Sequence, residues 1–563
     1  MREALKEPNL PPGALVETFD DGSALRNDGL RLTSAAKKPW YILATVAGEH
    51  SAKNRRFWNG WMCQNMSADD RKDLAVKLSL PEVELAPLSD GELQQIQARF
   101  KTAFPGKSLY NIAPNPGHAV DLKLVNFPHD ISFDQFYFSH ALFENVHFAG
   151  FADFDKAHFA YGANFQETHF SEGAFFPDAV FARGSNFKKA YFSELAEFQE
   201  AYFVGHANFQ EAHFVDFADF KEANFAMRTD FQKARFNGNA SFEKAHFNEA
   251  AHFQEVHFAG ETNFQEADFA DFANFQKVYF SGDTVFQKTH FNKQGVVFTD
   301  ALFYAESTFF IESYFAGPAL FNCAQFAGLV LFQKSNFDEE VFFQNASFNS
   351  YADFSDGTFK ACTSFDGATF KTQVPKLYQR EIHQDTTFSD NPKHWPKVTS
   401  ENAEEGKQAY TRLRQIAADN HNPDLEHFFL RQEMRCKEML AKYFDKIIFI
   451  AYRGLASSGI SVARPAGILT FIWLVSGFFF HYAAKKVGDN SDLSMLADLS
   501  LLGSFGLSFA NLMAFLGFNR LYFKEVIDEF GPWLSLLAGA QTVAGVVLLF
   551  FIGLGLRNRF RLK

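Results

Sequence analysis

The phenylalanines obey a spacing rule. From Phe154 they fall at 159, 165, 170, 176, 181, 187, 192, 198, 203, 209 and 214, so steps of five and six alternate and one of each makes a repeat. A helix turns about 100° per residue, so steps of five and six throw successive rings to nearly opposite sides, and no single face could bury them. A flat strand fails as well, because an odd step changes face. The chain that turns every ring inward bends at a corner after each five or six residues and stacks its turns, as a β-solenoid does. The step slips by one near Gly295 and, on this reading, again near Pro318, before resuming from Phe321 to Phe370.

Small residues stand two positions before the rings, as in Ala207 with Phe209 and Ala212 with Phe214, and the repeat reads Ala-Asn-Phe-Gln-Glu-Ala-His-Phe. This resembles the pentapeptide-repeat family, whose motif is A(D/N)Lxx with Leu or Phe at the centre. The resemblance implies a mainly β fold, a right-handed quadrilateral β-helix over residues 128–372, with two of the five-and-six repeats per turn. The inward ladder is expected at Phe154, Phe165, Phe176, Phe187, Phe198, Phe209 and Phe220, and onward at Phe231, Phe242, Phe253, Phe264, Phe275 and Phe286.

Charge divides unevenly along the chain. Residues 128–372 hold 33 Asp and Glu against 15 Lys and Arg, whereas the whole chain holds 66 against 53, so the solenoid is the acidic part. Such a rod suits a protein partner and argues against direct nucleic-acid binding. Some pentapeptide-repeat proteins resemble a DNA duplex and bind type II topoisomerases, so a DNA mimic is one alternative. His147, His169, Tyr191 and His213 each lie one full turn from the last and are expected to stack as a surface ladder rather than bind metal. Cys63, Cys323, Cys362 and Cys436 have no CxxC spacing, which excludes a zinc-site or disulfide-framework reading and leaves reduced thiols. The sequence offers no Gly-rich phosphate loop and no nucleophile with a base, so no catalysis, no cofactor and no metal are expected.

The flanks are expected to differ from the rod. Residues 1–36 read as a flexible tail and 37–127 as an N-terminal helical cap containing Trp40, Trp58 and Trp61. Residues 373–450 read as an amphipathic helical linker, with Tyr410, Leu413, Ile416 and Ala417, then Leu425, Phe428, Phe429 and Gln432, at helical spacing and a turn at Asn422-Pro423. His421, His427 and Glu433 are expected on different faces, not as a metal set.

Residues 451–563 read as an all-α membrane domain. Three uncharged runs cover 465–484, 499–519 and 531–556, and each is long enough to span. The spans are expected at about 465–484 and 533–556, with a re-entrant or third helix at about 496–518. Arg453 and Arg464 precede the first run, and Arg557, Arg559, Arg561 and Lys563 follow the last, which places the solenoid and both ends in the cytoplasm of a bacterial inner membrane. Span, short helix, span resembles the two-helix pore module of potassium-type channels, from Phe505 to Phe518. Met513, Ala514 and Phe515 stand where that module has threonines, and Asn519 replaces its last Gly. Ser508, Asn511, Gly517 and Gln541 are the candidates for lining a pore or packing the helices. Segments 458–465 and 556–561 resemble the membrane portion of some bacterial pentapeptide-repeat proteins. The reading that joins these parts is a membrane-anchored, non-catalytic scaffold that offers an acidic solenoid to a protein partner. An oligomeric, weakly selective channel regulated by the solenoid is the main alternative.

Overall fold

The computed structural model describes residues 13–107, 112–456, 461–488, 499–529 and 531–560. They fall into two compact units divided between Pro396 and Lys397.

In the first unit each five-and-six repeat becomes two sides of a coil. After Phe231 the chain turns: Ala234 N donates to Phe231 O at 2.9 Å, and Lys233 takes φ 59° in the third position of the turn. That is a type II turn, and its left-handed residue recurs once per repeat, at Glu167, Asp178, Lys189, Glu200 and onward. The other corners are looser and hold one residue more, which is why five-residue and six-residue steps alternate. Strands two repeats apart pair in parallel, as Ala207 with Thr229 and Ala218 with Ala240, building four sheets of 15, 11, 12 and 13 strands. The result is a β-solenoid of about twelve turns.

Its interior is four columns of phenyl rings. Phe231 stacks on Phe209 at 4.8 Å and Phe253 at 5.1 Å, and meets Phe220 and Phe242 edge-on at 5.5 Å. The stacking distance follows the ~4.8 Å spacing of paired strands, and the mixture of stacked and edge-on rings suits the aromatic quadrupole.

The structure corrects the position of the second slip. Ala273 pairs with Val296 and Thr284 with Thr308, so one extra residue enters at 292–295 and another at 304–307, upstream of Pro318. Each is absorbed at a loose corner, where no ladder bond is lost.

The ends also depart from expectation. Residues 15–34 are not a tail: β1 (Leu15–Thr18), β2 (Ala24–Arg26) and β3 (Arg31–Ser34) form an antiparallel meander, and β3 pairs with the rod through Thr33 and Val125. Its turns are Asp21-Gly22 and Asp28-Gly29, with glycine φ of 76° and 84°. Residues 1–12 of the expected tail lie outside the described residues. The meander extends one sheet beyond the first coil, so that sheet edge is covered. Beside it lie α1 (Pro39–Ala44), α2 (Lys53–Met62), α3 (Ala68–Lys77) and α4 (Asp90–Ala103). On α2, Trp58 stacks on Phe136 at 5.1 Å and donates to Tyr137 O. Asn59 accepts from Tyr137 N and donates to Gln135 O, so one side chain serves two backbone groups of an edge strand.

The rod is also longer than 128–372. Val120–Asp121 already pairs with the next coil, and Thr387–Phe388 pairs with Ser364 and Phe365, so the first part of the expected linker belongs to the solenoid. Arg380 plugs this end, donating to Phe354, Thr358 and Phe332 carbonyls while its guanidinium lies 4.3 Å from the Phe359 ring centre. Trp395 stacks on Phe370 at 5.5 Å.

The second unit opens with a helical hairpin, α5 (Ala403–Asp419) and α6 (Pro423–Leu440). Tyr410, Leu413, Phe428 and Phe429 are buried in it, and Glu433 is buried between Arg414 at 2.8 Å and Lys437 at 2.6 Å. Then come α7 (Tyr443–Ala456), α8 (Ala463–Gly488), α9 (Leu501–Leu512), the short α10 (Phe518–Tyr522) and α11 (Lys524–Asp528), and α12 (Pro532–Phe560). Two of these, α8 and α12, are long and apolar enough to cross a membrane. At 1.5 Å per residue the 12 residues of α9 reach about 18 Å, short of a ~30 Å hydrocarbon core.

Candidate interaction surface

The thirteen ladder rings named above, from Phe154 to Phe286, are completely buried. They build walls and touch no partner, so function falls to what the four outer faces carry.

Three regions of that surface satisfy their own polar groups. On one face Asn164, Asn186, Asn208 and Asn274 each accept a bond from the backbone N two residues on, and Asn186 Nδ2 donates to Asn164 Oδ1 at 3.0 Å. On the next face His147, His169, Tyr191 and His213 stack at 5.0, 4.8 and 5.6 Å. His147 Nδ1 lies 3.2 Å from Asn126 Oδ1, and Nε2 lies 3.0 Å from Ser171 Oγ, which suits a neutral ring donating from Nδ1 and accepting at Nε2. Burial, with His169 and Arg26 nearby, pushes its pKa down to about 3. Among the described residues no group of three His, Cys, Asp or Glu could hold a metal ion. The type II corners between these faces alternate in sign, as Glu167, Lys189, Glu211, Lys233, Glu255 and Lys277, with Lys233 3.9 Å from Glu255. The matching corner across the rod pairs Lys244 with Glu222 and Lys288 with Glu266, both at 3.6 Å, but Asp178, Glu200 and Glu222 follow one another there, so this corner, which bounds the acidic face described next, does not alternate.

A third face, built on Ala152–Asp153, Ala174–Phe175, Ala196–Glu197 and Ala218–Asp219, breaks this economy. At its leading corner Glu172, Glu194 and Asp216 follow one another on successive coils without a cation between them, and the face itself adds Asp153, Glu197 and Asp219. Burial and the neighbouring Asp219 hold the Glu197 carboxyl above its usual range. The base on this face, Lys221, is committed to Glu243 at 3.7 Å. Among the same acids lie apolar side chains that point outward. Phe151 is 47% exposed and its ring is 5.9 Å from Phe175, and Leu195 and Phe217 continue the strip over the next two coils. Gly173 makes room, since a Cβ there would stand 2.6 Å from the Phe175 ring and 3.0 Å from Phe151.

The profile for the family described as Pentapeptide repeats (9 copies) matches residues 198–246, 220–268 and 242–283, the middle of this rod. Over these residues the rod is similar to the pentapeptide repeats. No curated protein and no solved structure matches the chain. The repeat explains the wall of stacked rings but not the strip, because Phe151, Phe175 and Phe217 stand off the five-and-six lattice. That displacement is the sequence signal for surface aromatics, and the ladder reading passes over it.

The membrane candidates separate. Ser508, Asn511 and Gln541 come together: Gln541 Nε2 donates to Ser508 Oγ at 2.8 Å, Asn511 Nδ2 lies 3.4 Å from Gln541 Oε1, and Ser508 Oγ donates to Trp473 O at 2.9 Å. The three side chains spend their polar groups joining α9 to α8 and α12, and Gly545 lets α12 approach, since a Cβ there would meet Leu512 O at 2.1 Å. Gly517 lies apart, at φ 75° in the turn into α10.

Proposed function

We propose that this protein is a membrane-anchored, non-catalytic scaffold whose acidic face takes a protein partner bearing basic and apolar side chains. One observation carries the reading: charges alternate along the type II corner from Glu167 to Lys277, yet Glu172, Glu194 and Asp216 repeat a single sign beside exposed Phe151 and half-buried Phe217. Stacked like charges cost the rod stability, and a cationic partner relieves them. The amide face opposite weighs against a duplex mimic, which needs charge around the rod. For the anchor, α8 and α12 supply two crossings with both ends on the cytoplasmic side, and α9 dips in and returns. Purified full-length protein carrying Glu172→Lys, Glu194→Lys and Asp216→Lys tests the partner reading. Co-purification of a defined basic partner from membranes should be lost, while the circular dichroism of the rod stays. Recovery of a topoisomerase by the unchanged protein alone favours the mimic instead.

A second reading has its own support. The half-length α9 reaches Trp473, midway along α8, as the pore helix of an oligomeric channel would. Planar bilayers with the purified oligomer test it: currents altered by Gly517→Leu support a channel, and silence removes it.

A further inference from the structure

We infer that α7 is an interfacial helix that lies in the surface of the lipid bilayer beside the two spans, an attachment separate from the spans themselves. The inference rests on the reading of α8 and α12 as membrane-spanning.

The sequence of α7, Tyr443 to Ala456, is Tyr-Phe-Asp-Lys-Ile-Ile-Phe-Ile-Ala-Tyr-Arg-Gly-Leu-Ala. At 100° per residue, Asp445, Lys446 and Arg453, together with Lys442 just before the helix, fall within an arc of about 100°. Tyr443, Phe444, Ile447, Ile450 and Ala451 occupy the opposite arc. Their burial is that of a helix with nothing against its apolar side: Phe444 is 80% exposed, Tyr443 78% and Ile447 51%. A patch of this size on a helix is rare where it faces water.

One contact of α7 and one between the two spans set the level at which the helix lies. The Tyr452 ring is 5.6 Å from Phe551, and a Cβ on Gly555 would touch Val462 and Ser461, which lead into α8. Phe551 is only six residues, about 9 Å of helix, from Arg557 at the end of the span. Therefore α7 packs where the spans meet the headgroups. On its polar side the α5–α6 hairpin closes a groove of about 500 Å³ lined by Lys437, Leu440, Asp445 and Phe449, and Arg453 pairs with Glu438 at 3.0 Å. The hairpin thus packs beside the charged arc, at Asp445, Phe449 and Arg453, and leaves the apolar arc to lipid. Exposed Lys442 and Lys446 stand ready for anionic headgroups, and the aromatic rings suit the interface.

Nitroxide labels on the purified full-length protein in phosphatidylethanolamine–phosphatidylglycerol vesicles test this, with Cys323 and Cys362 replaced by Ser. Labels go at Ile447→Cys on the apolar arc, Lys446→Cys on the charged arc and Val475→Cys on the outer side of α8. The expected result is oxygen-rich, nickel-poor accessibility at 447 and 475, with the oxygen-to-nickel ratio at 447 at least threefold that at 446. Lipid at 475 but water at 447 overturns the interfacial helix and keeps the spans. Water at 475 overturns the spans, and the inference with them.

Discussion

Phe231→Ala is the sharpest probe of the rod. The ring is completely buried, between Phe209 and Phe253 at 4.8 and 5.1 Å and against the edges of Phe220 and Phe242 at 5.5 Å. Truncating a buried Phe costs about 3 to 5 kcal/mol, and the cost is highest where neighbours cannot collapse into the hole. Here they cannot: Phe231 N donates to His252 O at 2.8 Å and Phe209 N to Asp230 O at 2.7 Å, so backbone ladders fix the coils above and below. The expected loss is therefore near the upper end, about 5 kcal/mol, or three to four powers of ten in local opening. Hydrogen exchange followed by mass spectrometry on the full-length protein reads it, at the turn amides of Ala212, Ala234 and Val256. Lys233→Ala, two residues on, removes only an exposed ion pair and should change exchange by less than about 0.5 kcal/mol. Equal acceleration by both variants, or less than about 1 kcal/mol for Phe231→Ala, would refute the packed-column account.

Three further outcomes are expected. Arg380→Met should loosen the C-terminal coils by about 3 kcal/mol or more, since it strands carbonyls of Phe332 and Phe354, and exchange should accelerate between 354 and 388 but not near Phe154. Acid should destabilise the N-terminal coils: His147 is held neutral down to about pH 3, so from its ordinary 6.5 downward the unfolded chain takes the proton and stability falls by up to about 1.4 kcal/mol per pH unit. Thermal melts of His147→Gln between pH 7 and 4 should show a flatter profile. Glu197→Gln should raise the melting temperature at pH 7, because the folded rod disfavours that carboxylate, and should weaken partner retention at the same time.

How far the sequence reveals this architecture depends on how local each signal is. The Phe lattice is local and repeated, so the solenoid and its two-repeat turn are legible from residue spacing alone. The ends are less so, because the first and last coils exchange Phe for Leu122, Val125, Leu377 and Arg380, and the lattice disappears while the fold continues. The β1–β3 meander is announced by Asp21-Gly22 and Asp28-Gly29, which a composition-based reading of residues 1–36 as a tail overlooks. The acidic strip is the least visible part. Net charge marks the rod as acidic, but only the register that sets Glu172 over Glu194 and beside Phe151 shows one face left unneutralised. In the second unit, run length gives α8 and α12. The joining role of Ser508, Asn511 and Gln541 needs three helices brought together.

The central claim is that one face of the rod, and not the whole acidic surface, meets the partner. Photo-crosslinking in cells tests it most directly, with a benzophenone amino acid placed at Phe217 on the acidic face or at Asn208 on the amide face of the same coil. The account predicts a discrete crosslinked species from position 217 that disappears when Glu194 and Asp216 are changed to Lys, and none from position 208. Equal crosslinking from both positions, or a species from 208 alone, would contradict it.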